Sequence, residues 1–142
     1  NLEIRKLWPD IKVTGVPCPL WVPIIENNEA DSPGADYFVK KRIDELMSKD
    51  PAIDTIILGC THYPILLPKI QKYVKPGVRL IPQGEYVAQS LAHYLDRHTA
   101  LRQKLTLGAT CQYFTTENPD KFKESAQIFL KEQISVRHLD LE

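Results

Sequence analysis

The run Thr55-Ile56-Ile57-Leu58-Gly59-Cys60-Thr61-His62-Tyr63-Pro64 decides how this chain reads. Thr55 to Leu58 is a short apolar stretch bounded by Asp54 and Gly59. It is too short for a helix and rich in β-branched residues, so it reads as a buried strand. Pro64 stands where a helix begins, since the N–H it lacks has no intrahelical partner in a first turn. A thiol, a hydroxyl and an imidazole (Cys60, Thr61 and His62) are therefore crowded at a strand-to-helix turn. Open α/β sheets carry their chemistry at such turns.

The unpaired N–H groups of a helix start stabilise nearby negative charge, which favours a thiolate at Cys60. Together with Thr61, those groups suit a substrate carboxylate. His62 is placed to take or give a proton at Cys60 if the chain folds back. A small buried Cys60 beside a surface His62 would give the same spacing. The residues alone leave both readings open.

Outward from that turn, strand-like and helix-like segments alternate. Leu2 to Trp8 looks like the tail of a helix already under way, and with no initiating Met the chain reads as an excised piece of a longer one. Asp10 to Pro17 (Ile11, Val13, Val16) reads as a strand leading into the Pro-rich stretch 17–23, from which apolar residues run to Glu26. Asp31 to Gly34 offers a capped turn, and Val39, Ile43, Leu46 and Met47 give Tyr37–Met47 a helical stripe that Asp50-Pro51 ends. After Pro64, Pro68 demands either a restarted helix or an irregular first turn. Val78–Ile81 is the next strand. Gly84–Tyr94 is a helix with Val87, Leu91 and Leu95 on one face, and Leu105–Phe114 is a strand broken near Gly108. Asn118 caps a helix that opens with Pro119 and shows Phe122, Ala126, Phe129 and Leu130 on its apolar face. Ile134–Leu139 closes the chain as a strand. This alternation predicts an α/β fold with a largely parallel sheet and flanking helices.

Composition narrows the function. Of 142 residues, 43% are hydrophobic and 25% charged, as in globular proteins. Eighteen basic residues balance eighteen acidic ones, which argues against a nucleic-acid surface. Lys40-Lys41-Arg42 and the Lys69, Lys72, Lys75 series read as solvated helix faces. No apolar stretch approaches the roughly 20 residues that cross a bilayer. The first residues lack a signal-peptide core, giving no membrane partner and a cytoplasmic location as the default. Cys18, Cys60 and Cys111 are odd in number and far apart, so they form no disulfide framework and no Cys-X-X-Cys pair. His93 and His98 point about 140° apart on a helix, so no metal is expected.

Four stretches then carry a resemblance. Thr55 to Pro64 closely resembles the second cysteine motif of bacterial glutamate racemases, in the aspartate/glutamate racemase superfamily. Cys18-Pro-Leu-Trp-Val-Pro-Ile-Ile-Glu26 is similar to the segment that carries a functional glutamate in that family. Val78 to Ile81 with Gly84-Glu85 resembles the downstream strand and helix start, and Phe114 to Phe122 resembles the C-terminal signature. Pro82-Gln83 replaces the usual Asp-Ser pair. The N-terminal Asp-Ser-Gly motif and first catalytic cysteine have no counterpart here.

The resemblance implies the C-terminal portion of a two-domain, cofactor-independent glutamate racemase. Residues 1–83 would form most of the second α/β domain, and 84–142 the C-terminal part of the first. Inverting an α-carbon needs a proton removed from one face and another delivered to the opposite face, and the family uses two opposed thiols. Cys60 would be the one facing L-glutamate, with His62 as its proton partner, Thr61 and His62 binding substrate, and Glu26 as a supporting carboxylate. D-glutamate would feed peptidoglycan, hence cell-wall biogenesis and cell shape. The 142-residue chain alone would be inactive, while the full-length parent could form a homodimer. Rival readings are a racemase of the aspartate or hydantoin type, a cysteine-nucleophile hydrolase or transferase, and a non-catalytic binding module.

Overall fold

Strand β1 (Thr55–Leu58) pairs in parallel with β2 (Arg79–Pro82), Thr55 opposite Arg79 and Leu58 opposite Pro82. The computed structural model describes residues 2–108 and 110–141. The chain forms two compact units, Asn1–Ser90 and Leu91–Glu142. The short parallel strands and flanking helices agree with the expected α/β class. Arg79 N donates to Asp54 O at 2.7 Å. The alternation of a parallel ladder then turns the backbone groups of Arg79 and Ile81 toward β1, and those of Leu80 and Pro82 away from it.

β1 is buried on one face only. Ile56 and Leu58 enter the core, whereas Ile57 is 50% exposed, so the strand is half-buried rather than buried on both faces. Below it lies α3 (Pro33–Lys49), which starts earlier than its apolar stripe suggests. The Ser32 hydroxyl accepts from Ala35 N at 3.2 Å and Pro33 occupies the first turn, so the cap rather than the stripe sets the start. Ala35, Val39, Ile43 and Met47 recur every four residues and are buried together with Ile56, Leu58, Leu66 and Ile70.

Helix α1 (Leu2–Leu7) stands where a helix tail was expected. The strand expected over residues 10–17 does not form. The apolar alternation is there, but no ladder partner lies beside it among the described residues. That segment is tied down by Lys12, whose Nζ lies 2.8 Å from the buried Asp50 carboxylate at the end of α3. Lys12, with the Ala52 N–H, holds Asp50 below the usual aspartate range.

The Pro-rich stretch contains a helix that spacing does not suggest, α2 (Trp21–Glu26). Pro23 falls in its first turn, where a missing N–H costs nothing. Beyond the Cys60 turn the chain makes a 3-10 turn (Tyr63–Leu66) and then α4 (Leu67–Tyr73), with Pro64 and Pro68 each at the start of its own segment. Restart and irregular first turn thus both occur. Asp36 joins α3 to α4, accepting from Lys69 Nζ, from Lys72 Nζ at 3.1 Å and from Tyr73 OH at 2.7 Å. Lys69 also donates to the carbonyls of Asp31 and Ser32. Its side chain is only 15% exposed, which corrects the reading of a solvated lysine face at that position.

Helix α5 (Gln83–Arg97) follows β2 without a loop, so Pro82-Gln83 is a strand end running straight into a helix start. Val87 and Leu91, expected on a packed face, are 61% and 55% exposed. The second unit holds α6 (Thr99–Arg102), β3 (Tyr113–Thr115), α7 (Pro119–Leu130) and β4 (Val136–His138), with β3 and β4 parallel. The strand expected from Leu105 contracts to Tyr113–Thr115. Gly108, at φ 132°, leaves the range of an L-residue strand, and Ala109 lies outside the described residues. Asn118 caps α7 by accepting from Asp120 N at 2.9 Å and Lys121 N at 3.2 Å, and Lys131 ends it in the left-handed region at φ 55°.

Candidate functional site

Gly59 releases the chain from β1 at the edge of the core, and the next three residues carry the chemistry. Cys60 and His62 are half-buried, and Tyr63 N donates to Cys60 O at 3.2 Å, closing a turn over the strand end. This bend brings the Cys60 Sγ to 3.8 Å from His62 Nδ1. Thr61 Oγ1 lies 3.5 Å from the same nitrogen. The other ring nitrogen, His62 Nε2, is 3.0 Å from Glu26 Oε1 at the C-terminal end of α2. All four residues singled out in the sequence therefore meet at one place.

The carboxylate decides which way the ring works. An ionised carboxylate only accepts, so Nε2 carries a proton and donates it to Glu26. In the neutral ring this leaves the Nδ1 lone pair turned toward Cys60 and Thr61. A thiol proton can then pass to Nδ1, with the resulting imidazolium stabilised by Glu26. The line from sulfur through imidazole to carboxylate can hold and move one proton.

The helix start contributes less than the sequence suggested. The residues after His62 form a four-residue 3-10 turn, and α4 begins only at Leu67. Macrodipole effects fall off within a turn of the helix terminus. The α4 dipole is therefore remote from Cys60, and the His62 imidazole is the polar group beside its sulfur.

Two aromatic residues that spacing does not reveal frame the site. Trp21 is almost fully buried at the start of α2, and its Nε1 donates to Phe38 O at 3.4 Å. Its ring meets that of Tyr63 edge to face, with centroids 4.8 Å apart. Tyr63 OH donates to Cys18 O at 3.5 Å, a carbonyl that also accepts from Trp21 N at 3.2 Å. Burial and the thiols of Cys18 and Cys60 hold the Tyr63 phenol above its ordinary value, so it remains a donor. Burial pushes the Cys18 thiol up to about 11, against the opposing pull of Arg42. Cys18 is thus the inert thiol of this neighbourhood.

Among the described residues, no group of three or more His, Cys, Asp or Glu is arranged to hold a metal ion. His98, one of the histidines weighed for that role, stacks on Tyr94 and bonds its carbonyl. No described helix is long and apolar enough to cross a membrane.

No family model matches the chain. Individual relatives do. The glutamate racemases of Streptococcus pyogenes serotype M5 (strain Manfredo) and serotype M1 are each 39% identical to it over 142 residues, covering 98% of this chain and 52% of their own length. Among solved structures, the glutamate racemase isoform RacE1 of Bacillus anthracis superposes with a TM-score of 0.85 at 33% identity, over 97% of this chain and 50% of its own. The glutamate racemase of Francisella tularensis subsp. tularensis SCHU S4, solved with D-glutamate, gives 0.79 at 27% identity over 99% and 51%. The chain spans about half the length of the curated relatives it matches.

Proposed function

We propose, on the premise that this chain is homologous to the glutamate racemases along nearly its whole length, that it supplies one side of a glutamate racemase site. Cys60 is the acid/base at the face from which the L-enantiomer loses its α-proton. His62 relays that proton, Glu26 holds the ring, and Thr61 with His62 binds the substrate. The observation that carries this reading is the line from Cys60 Sγ through His62 to Glu26. Glutamate is the substrate, supported by the Francisella relative solved with D-glutamate.

The chemistry follows from the α-proton. A base confined to one face returns the proton to the face it came from. Inversion needs a second acid on the far side, which a second thiol supplies. The carbanionic intermediate is stabilised by hydrogen bonds aimed at the substrate carboxylate, and these strengthen as water is excluded. The thiols and substrate suffice for the proton transfers, with no cofactor. Residues 1–83 belong to one α/β domain of the parent and 84–142 to the other. The product D-glutamate serves peptidoglycan synthesis in the cytoplasm, and the parent assembles as a homodimer.

The 142-residue chain alone leaves the enantiomeric composition of glutamate unchanged, because the opposing thiol is missing. Chiral chromatography after incubation with L-glutamate tests this, and the appearance of D-glutamate would overturn it. In the full-length parent, Cys60→Ala abolishes racemisation and solvent-deuterium incorporation at Cα. Persistence of both would remove Cys60 from the mechanism. The same Cys–His–Glu line also suits a cysteine-nucleophile hydrolase, which would show a burst of acyl-enzyme instead of α-proton exchange.

A further inference from the structure

The contact between His62 and Glu26 is too weak to hold itself. The Glu26 side chain is 57% exposed and the pair bridges two separate elements. Exposed ion pairs contribute little, and ordering their side chains costs entropy. Something else must place the end of α2 against the Cys60 turn. Ile25, next to Glu26, is fully buried and seats that end of α2 in the core, while the contacts that tie the helix to the Cys60 turn itself lie at its opposite end. There the Trp21 indole is buried and anchored to Phe38 O of α3, and the Tyr63 ring packs on it edge to face. Tyr63 OH and Trp21 N share the Cys18 carbonyl. Tyr63 is also the residue directly after His62, so whatever fixes its ring fixes the backbone that carries the imidazole. A buried edge-to-face pair stabilises beyond its buried area, whereas an exposed ion pair contributes little.

We propose that Tyr63, seated on Trp21, is the positioning residue of this site: it holds α2 against the Cys60 turn so that Glu26 keeps His62 with Nδ1 toward the thiol. The inference rests on the relay reading given above and adds a residue to it. In this reading Tyr63 acts through the placement of His62 and Glu26 rather than by carrying the proton itself.

Two readouts on the 142-residue chain test it: the His62 tautomer from ring 15N shifts, and the rate of Cys60 alkylation by iodoacetamide across neutral pH. Glu26→Gln comes first and tests the relay itself. It should shift the tautomer and slow Cys60 about tenfold, within the range of couplings between contacting residues. Tyr63→Leu, with the fold checked by circular dichroism, should do the same, and adding Glu26→Gln to it should change little more. Tyr63→Phe keeps the ring, loses the hydroxyl's contacts with the Cys18 carbonyl and thiol, and should slow Cys60 about two- to threefold. It carries the test if Tyr63→Leu does not fold. If Glu26→Gln alters neither readout, the relay reading fails and this proposal falls with it. If Glu26→Gln alters both while the folded Tyr63 variants match the parent chain, the relay stands and the positioning role is overturned.

Discussion

His62 Nε2 lies 3.0 Å from Glu26 Oε1, a partner thirty-six positions away in sequence. The pairing fixes which ring nitrogen is left to face Cys60. In the full-length parent, Glu26→Gln replaces an obligate acceptor with an amide that can present either donor or acceptor, so the tautomer is no longer dictated. We expect kcat/KM for racemisation to fall about a hundredfold, the scale of acid–base assistance. Measurement of L-to-D conversion by circular dichroism checks this.

The three cysteines should separate by reactivity. With the Cys18 thiol pushed up to about 11 by burial, roughly a thousandth of it is thiolate at pH 8. Cys111 is exposed and Cys60 partly so. Timed alkylation followed by peptide mass spectrometry should therefore find Cys18 modified last. Its rate should go on rising with pH toward 11.

Asp36 gives unit one an acid-sensitive clamp. Hydrogen bonds from Lys69, then Tyr73 and Lys72, hold its carboxyl well below the usual range. A depressed carboxyl contributes stability in full above the unfolded value near ~3.9. That contribution drains away as pH falls from there through the folded value. Asp36→Asn should thus lower the Tm at pH 7, and the gap to the unmodified chain should close in strong acid. Thermal melts at the two pH values check the sign.

Ile70 is fully buried on α4 beneath β1. Ile70→Ala leaves a cavity where α3, α4 and the sheet meet, and should cost about 2–5 kcal/mol. Urea unfolding followed by tryptophan fluorescence reports it, since Trp21 sits in the same core.

Lys131 ends α7 at φ 55°, a conformation that costs a residue with a Cβ but not glycine. Lys131→Gly should stabilise the second unit by about 0.5–1 kcal/mol, net of the freedom glycine gains when unfolded. Hydrogen exchange along α7 measures it.

Local signals carried much of this structure. Thr55–Leu58, the Asn118-Pro119 cap and the α3 stripe were legible because each depends on neighbours in sequence: a β-branched run, an Asx cap and a four-residue repeat. The strand expected at 10–17 failed because a strand needs a partner, and alternation says nothing of whether one exists. Helix α2 stayed hidden because Pro19 and Pro23 read as breakers unless the helix start is already known. At the site, the triplet Cys60-Thr61-His62 announced itself. The role of Tyr63 did not, because it depends on Trp21, a contact made only in three dimensions.

The register of β1 on β2 has a consequence for solubility. Leu80 and Pro82 turn their backbone groups to the edge of β2 away from β1, and among the described residues no strand pairs there. An open parallel edge is a template on which a stray strand can zip. Pro82 offers that edge no donor at the end opposite Leu58, next to the Cys60 turn. A strand adding there finds no N–H at its last position, and only the Pro82 carbonyl is left to hold it beside the thiol. Pro82 thus removes one of the two backbone groups by which a stray strand would lengthen the sheet at the end nearest the thiol.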